Sequence, residues 1–330
     1  MSETIRRHFL WPEPQPLAPR HFFSSCPADE VERLLAELYP AAHPVLFSSA
    51  RAGLAGVLQA IGVGRPDFIW VPPFSSHCVI DVVGRFGTPT VIPVDIPKAA
   101  LVYHQWGHRQ TAAFPVSCTV IEDAVDTLFK PGNCVFRCGG RFVLWSLPKT
   151  IGSVFGGVVF CADLSDARLL RDSLDRVAVP CAHAWLKVLG KRFPWAGHYW
   201  NDVEPRAGRL PGFAVAQIWE LLNRIDGVCA GREDFFRRFQ AAAGVAWEDD
   251  TAWPSNLPLV GTADDPLWSA AGPFTAGYRS FNVSGAMPQT DMRRVAPLPV
   301  HRDIEFSALE RVAGKIAQRQ LQPLPASALP

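Results

Sequence analysis

The sequence predicts an α/β protein: a mostly parallel central sheet covered by helices, with a smaller α+β domain at the C-terminal end. Three observations carry that expectation. Through the first half, short apolar runs of strand length alternate with segments of helical period, as in a parallel sheet buried on both faces. Pro, Gly and Ser punctuate the runs. The second half opens with long amphipathic segments and then breaks into short runs rich in Pro and Trp, such as AWPSNLPLV and DDPLWSAAGPF. The boundaries that follow are an N-terminal arm over 1–23, a large domain over 24–190, a connecting loop with long helices over 191–245, and a small domain over 246–330.

Taken in order, residues 1–23 are proline-rich and read as an arm that lies on the surface or reaches to a neighbour. Pro27-Ala28-Asp29-Glu30 opens a helix with Val31, Leu34, Leu35 and Leu38 on one face, stopped before Pro40. A second helix follows Ser48 and Ser49, where an N-cap belongs. Its apolar residues Leu54, Val57, Leu58 and Ile61 fall at i, i+3, i+4 and i+7, and Gly62 and Gly64 close it. FIWVPP is a short buried strand, and PFSSHCVIDVVGRFG a helix whose start holds Ser75, Ser76 and His77. Pro89 to Asp95 and Leu101 to Trp106 read as further strands, and CTVIEDAVDTLF as one ending in Glu122, Asp123 and Asp126. Between Asp95 and Val120 there is no room for a crossover helix, which thins one covering layer of the sheet and widens the expected entrance. LPGFAVAQIWELLNRID and REDFFRRFQAAAG are helices with core-type faces. Between the halves, PWAGHYWND (Pro194 to Asp202) gathers aromatics in a loop. Phe306 to Gln318 forms a closing helix before the tail LQPLPASALP.

Composition narrows the function classes. Hydrophobic residues make up 48% and charged residues 19%, which suits a compact chain rather than a disordered one. With 32 Lys+Arg against 31 Asp+Glu, no global field draws the chain to nucleic acid or anionic lipid, so a small-molecule partner is expected. The N-terminus is neither a signal peptide nor a membrane span, and a cytoplasmic location is expected. The 8 cysteines are dispersed (Cys26, Cys78, Cys118, Cys134, Cys138, Cys161, Cys181, Cys229) and read as buried free thiols. No metal site is expected. Cys134 and Cys138 lack a companion set, and Trp106-Gly107 argues against a helix that would place His104 and His108 together.

Chemistry concentrates in three places. Lys149 lies in LWSLPKTIGSVFGGVVFCAD, an otherwise uncharged run up to its final aspartate. Desolvation there would disfavour the ammonium and free the amine to form a Schiff base, although a lysine with its stem on the core and its head in water fits the same run. The helix after Ser49 begins with free N–H groups, hydroxyls and Arg51, which suits a phosphate, or equally an ordinary capped helix. Asp123, like Lys149, falls at a strand end, where ligands bind in parallel sheets. Together a lysine, a carboxylate and a phosphate cradle are what pyridoxal 5'-phosphate needs: a Schiff-base partner, an acid to keep the pyridine nitrogen protonated, and phosphate donors.

The sequence also resembles the DegT/DnrJ/EryC1/StrS family, the sugar-aminotransferase branch of fold type I pyridoxal-phosphate enzymes, over most of its length. The matching pieces stand in family order: SSARAGLAGVLQAIGVG, FIWVPPFSS, VIEDAVD, SLPKTIGSVFGG, AVAQIWELLNRID and APLPVHRDIEFSALERVAGKI. The resemblance implies a fold type I (aspartate aminotransferase-like) architecture whose large domain binds the cofactor, and a homodimer with shared active sites. It makes Lys149 the Schiff-base lysine, Asp123 the partner of the pyridine nitrogen and Ser146 a hydroxyl near the phosphate, with Ser49, Ala50 and Arg51 in place of Ser-Gly-Thr.

Three residues depart from the family pattern. Arg51 replaces a threonine. Ser76 falls where an aromatic residue stacks on the cofactor ring, which leaves stacking lost or passed to His77. Asp126 stands where a glutamine or histidine lies beside the cofactor's phenolic oxygen, and repulsion there would turn it away unless one of the two is protonated. The implied activity is transfer of an amino group from an amino acid, glutamate by analogy, to a keto-sugar or similar small ketone through a Lys149 aldimine. The alternative is a non-catalytic or regulatory binding protein that keeps the fold.

Overall fold

The computed structural model describes residues 6–24, 26–92, 94–115, 117–174, 189, 193, 208–243, 249, 251–261, 265–269, 272–287 and 291–323. The aromatic loop at 194–202, Cys181 and most of the C-terminal tail lie outside the described residues.

Seven strands form the central sheet. Their order is β1 (His43–Phe47), β9 (Gly157–Cys161), β8 (Phe142–Ser146), β6 (Thr119–Asp123), β4 (Ala99–Tyr103), β2 (Phe68–Trp70) and β3 (Thr88–Thr90). Only β9 runs antiparallel to its neighbours; the β8, β6, β4, β2 and β3 ladder is parallel throughout. The near-continuous apolar strands are explained by cover on both faces. In β8, Phe142 and Leu144 enter one core with helices α2 (Ala50–Ala60), α3 (His77–Phe86) and α5 (Leu164–Leu174). Val143 and Trp145, pointing the other way, enter a second core with α1 (Ala28–Leu38), α6 (Gly212–Leu222) and α7 (Ile225–Ala243). Tyr39, Phe129, Trp145 and Phe160 meet there in tilted and edge-to-face pairs.

The C-terminal part carries a four-stranded antiparallel sheet, β12 (Arg279–Asn282), β14 (Met292–Pro299), β11 (Asn256–Val260) and β15 (Gln322–Pro323), with α8 (Phe306–Ala317) against α7. β10 (Ala252–Pro254) pairs instead with β7 (Thr127–Phe129), tying this part to the aspartate segment.

Several elements differ from the sequence reading. The strand expected over Pro89 to Asp95 is only three residues long, because its prolines withhold donors from the ladder, and Ile92 is exposed. The strand expected over Leu101 to Trp106 ends at Tyr103. Trp106 takes φ +57° and Gly107 φ +92°, and a Cβ on Gly107 would sit 2.6 Å from the Cα of Pro254, so the chain turns sharply there. CTVIEDAVDTLF is two strands, β6 and β7, with a turn at Ala124–Asp126. No α-helix connects β3, β4 and β6, but the sheet is not bare where the crossover is missing. Phe114, Cys118 and Met287 cover Trp70, Ala100 and Val102, and β5 (Thr111–Ala112) pairs with β13 (Ala286–Met287). The expectation of buried free thiols holds only in part: all seven described cysteines are free, but only Cys118 and Cys161 are buried, and Cys134 is exposed.

The described part of the N-terminal arm lies largely at the surface and is anchored to the body of its own chain. His8 exchanges backbone hydrogen bonds with Pro273 and Thr275, and Gln15 donates to Gly152 at 2.7 Å. Between these anchors, Trp11 and Pro12 cross over the segment that holds Lys149.

Candidate active site

The carboxyl ends of three parallel strands lie side by side, and the start of α2 lies beside the last of them. β4 ends at Tyr103 and β6 at Asp123, paired directly in the ladder. β8 ends at Ser146 and passes straight into α4 (Leu147–Thr150), which carries Lys149. Beside β8, Gly157 pairs with both Phe47 and Ser146. A Cβ on Gly157 would lie 2.2 Å from the backbone nitrogen of Ala50 and 2.3 Å from the carbonyl carbon of Ser49. Only glycine lets β9 pass beneath the start of α2, and that close approach sets Ser49, Ala50 and Arg51 beside Ser146.

At the start of α2, Ser49 caps the helix by accepting from the Ala52 N–H at 3.1 Å, and its carbonyl accepts from Gly53. The Ala50 and Arg51 N–H groups have no acceptor among the described residues, and the half-buried Arg51 guanidinium has no ion-pair partner there. An eleven-residue helix with open donors and an uncommitted cation suits an anion.

The lysine is not alone among apolar neighbours, as its run suggests. Lys149 Nζ lies 3.1 Å from Asp126 Oδ1 and 4.5 Å from the centroid of the Trp11 ring, with its side chain 30% exposed. Asp126 does not turn away from the site. It is buried, accepts from Trp11 Nε1 at 2.9 Å on the oxygen that faces Lys149, and accepts from the Tyr103 hydroxyl on the other. Burial, and then Asp126, push the Tyr103 hydroxyl well above its ordinary pKa, so it remains a donor. Asp123 is also buried but poorly served: its one hydrogen bond among the described residues is a 3.3 Å contact from the Val125 N–H. Burial drives its pKa up to about 6, Asp126 adding to the rise and Lys149 opposing it.

The remaining candidates lie apart from this cluster. Ser76 and His77 are exposed at the start of α3, where the Ser76 hydroxyl contacts Cys78 Sγ at 2.9 Å, and no hydrogen bond ties either to Lys149, Asp123 or Asp126. Ser146 is buried at the entry of α4, and its carbonyl accepts from the Thr150 hydroxyl. Trp11 and Tyr103 escaped the sequence reading. Tyr103 could have been found by its place at the end of a parallel strand beside the aspartate strand; nothing local marks Trp11.

One further cluster has metal-ligand spacing among the described residues: His104, Glu122 and Cys138. Its donors are already committed. The Gln110 N–H donates to His104 Nδ1, which leaves Nε2–H to donate to Glu122, and burial keeps the ring neutral. Backbone N–H groups of Arg137, Cys138 and Gly140 complete the carboxylate. His108 turns instead to the Asn256 carbonyl.

A pyridoxal-phosphate cofactor fits this donor set. Asp123 is an under-served buried carboxylate that a protonated ring nitrogen would satisfy, the α2 start offers free N–H groups to a phosphate, and Lys149 Nζ is partly open.

Residues 31–318 match the sequence model of a family described as "Putative PLP-dependent aminotransferase". The chain belongs to that family. Pyridoxal phosphate is therefore the cofactor of this aminotransferase, and its substrates are small molecules. No curated protein sequence matches it. Among solved structures, the aminotransferase resembles one described as "Putative sugar aminotransferase Spr1654 from Streptococcus pneumoniae, PMP-form", with TM-score 0.60 and 13% identity over 93% of this chain and 96% of that one. It is also similar to S. venezuelae DesV in complex with a ketimine intermediate, with TM-score 0.59 and 16% identity over 91% and 92%. A DegT DnrJ EryC1 StrS aminotransferase from Brucella abortus aligns with TM-score 0.55 and 17% identity over 88% and 90%. At these identities the likeness is one of fold: a fold type I aminotransferase with a mostly parallel seven-stranded sheet and a small C-terminal antiparallel sheet. No helix among the described residues is long and apolar enough to cross a membrane.

Proposed function

We propose that this aminotransferase moves an amino group from an amino acid, glutamate by family analogy, to a keto-sugar or similar small keto substrate, with Lys149 as the residue that reacts. The observation that supports this most is the convergence of Lys149 Nζ, Asp126 and Asp123 at adjoining strand ends, opposite a helix start with open donors.

Each residue then has a task. Lys149 would hold the cofactor covalently through Nζ. Asp123 would hold a proton on the ring nitrogen, which relieves the cost of its own burial. The Ala50 and Arg51 N–H groups, the Arg51 guanidinium and the Ser146 hydroxyl would hold the phosphate, with Ser49 fixing the helix start. Bound pyridoxal phosphate supplies a ring that draws electrons from the substrate carbon. Lys149, released to act as a base, would take a proton at Nζ from that carbon and return it two atoms further along, a 1,3-shift. Asp126, 3.1 Å away, orients the ammonium between those two transfers. Ser76 and His77 stay in this reading as residues at the rim, on the exposed start of α3. A homodimer with shared sites belongs to it as well, and sedimentation of the purified chain tests that.

The direct test is optical. Purified chain supplied with pyridoxal phosphate is expected to turn yellow, borohydride to fix the cofactor on Lys149, and Lys149→Ala to abolish the colour. Glutamate is expected to discharge the colour. A chain that stays colourless overturns the assignment of Lys149, and a yellow chain that no common amino acid discharges overturns the transfer.

A further inference from the structure

A cleft of about 290 Å³ is bordered by Thr150 and Ile151 at the end of the Lys149 helix and by Pro12 and Gln15 of the arm. Three arginines line it: Arg224, Arg232 and Arg302. Arg224 is already paired with Glu220 at 2.9 Å, and Arg302 lies 3.5 Å from Asp303 and donates to the side-chain oxygen of Gln15, a neutral acceptor that leaves its charge unmatched there. Arg232 differs from both. It is 3% exposed, its hydrogen bond goes to the carbonyl of Pro254, and no carboxylate lies within ion-pair distance among the described residues. Burial pushes its pKa down to about 9, with Arg302 adding to the fall and Asp303 only partly offsetting it.

Buried guanidinium groups are ordinarily matched by an anion, because desolvation of an uncompensated charge costs several kcal/mol. Here the wall beside the cation is left open. Gly227 and Gly231, one turn apart on α7, line the same cleft, and a Cβ on either would meet nothing within 4 Å. Glycines inside a helix weaken it, so their presence facing a cationic cleft has a use if that volume is filled. His301, also in the lining, is held neutral by burial, its pKa lowered to about 4, and adds no charge.

We propose that this cleft is an anion-binding subsite, in which Arg232 and Arg302 grip the carboxylate or phosphate group of a substrate whose reacting end lies at Lys149. The claim that the anion belongs to a substrate rests on the proposed function; the claim that the cleft binds an anion does not. Arg232 supplies the buried charge, Arg302 closes from the rim beside the arm, and the two glycines leave room for the group that carries the anion.

The test titrates the full chain with inorganic phosphate and, separately, with succinate, read by calorimetry. Wild type is compared with Arg302→Gln, Arg232→Gln and Gly231→Leu. The first two remove donors, and the third fills the cleft at a position where leucine favours the helix, which guards against a variant that simply fails to fold. Because all four proteins keep the α2 start, binding there cancels in the comparison. The expected result is at least about tenfold weaker binding in Arg302→Gln and in Gly231→Leu, the loss typical of a charge-assisted contact. A preference for phosphate identifies a phosphate ester as the source, and a preference for succinate a carboxylate. Equal binding by wild type and all variants, or no binding of either probe, overturns the subsite. Colour with pyridoxal phosphate is recorded on the same samples. Colour without anion discrimination removes the subsite alone, and anion discrimination without colour removes the proposed function alone.

Discussion

Glu122 and Asp123 are consecutive carboxylates at the end of the same strand, and the fold treats them in opposite ways. Successive side chains of a strand face opposite sides of the sheet. Glu122 meets His104 and three backbone N–H groups; burial alone would raise its pKa, but these donors bring it down to about 2. Asp123, equally buried, meets one long N–H contact, and burial lifts its pKa to about 6. A saturated carboxylate is a structural part. An under-served one beside a lysine marks a place for a partner that the chain does not contain. The contrast separates scaffold from site without appeal to any relative.

The largest expected effect lies on the scaffold side. Glu122→Gln keeps the shape but sets an amide NH2 against backbone donors, and a shift from 4.5 to about 2 corresponds to roughly 3 kcal/mol of stability at neutral pH. The sign follows from the lowered pKa: the contribution is complete above about pH 4.5 and is lost as pH falls toward 2. The urea midpoint of Glu122→Gln should therefore fall sharply at pH 7. An unchanged midpoint would mean that His104 and the backbone loop do not depend on the charge.

Asp123→Asn should move the other way. With its pKa raised, Asp123 binds a proton more readily folded than unfolded. Its favourable contribution is complete below about pH 3.8 and is lost as pH rises through about 6. Chain free of cofactor should thus gain about 3 kcal/mol from Asp123→Asn at pH 7 and lose the part of its pH dependence that lies between 4 and 6. The same substitution should weaken pyridoxal phosphate roughly a hundredfold, because an amide cannot form the charged bond to the ring nitrogen. A variant that is less stable and binds normally would dissolve the contrast between the two carboxylates.

That contrast also marks how far the sequence could be read. VIEDAVD shows two carboxylates at a strand end, and period-two alternation says they face opposite ways, but which face holds the donors depends on Arg137, Cys138 and Gly140 returning from a loop. The alternating strands and helices, α1, α2, α6 and the closing helix were legible because each buries a periodic apolar face. The edge strand at Pro89 and the turn at Trp106 were not, because proline and positive φ act against runs that look strand-like. Lys149 was legible as a lone charge. The orientation of its partner Asp126 was not, since nothing near it in sequence reveals that Tyr103, 23 residues earlier, and Trp11, 115 residues earlier, hold it in place. Arg232 was invisible in the same way: a helix shows an arginine, not the missing counter-charge beside it.

The smallest effect sharpens the site side of the contrast. Trp11 makes two separable contacts, an N–H to Asp126 and a ring face over Lys149. Trp11→Phe removes the first and keeps the second, at an expected cost of about 1 kcal/mol, whereas Trp11→Ala loses both and should cost about 1 kcal/mol more. A double-mutant cycle with Asp126→Ala, which leaves no acceptor for the indole N–H, tells a working hydrogen bond from a mere cover. If the arm is pinned through Asp126, the cost of Trp11→Phe should largely vanish in the Asp126→Ala background, a coupling of about 1 kcal/mol. Strict additivity would mean that the arm lies across Lys149 for reasons of packing alone. In that case Asp126 is held by Tyr103 and Lys149, and the network around the lysine is one member smaller than the geometry implies.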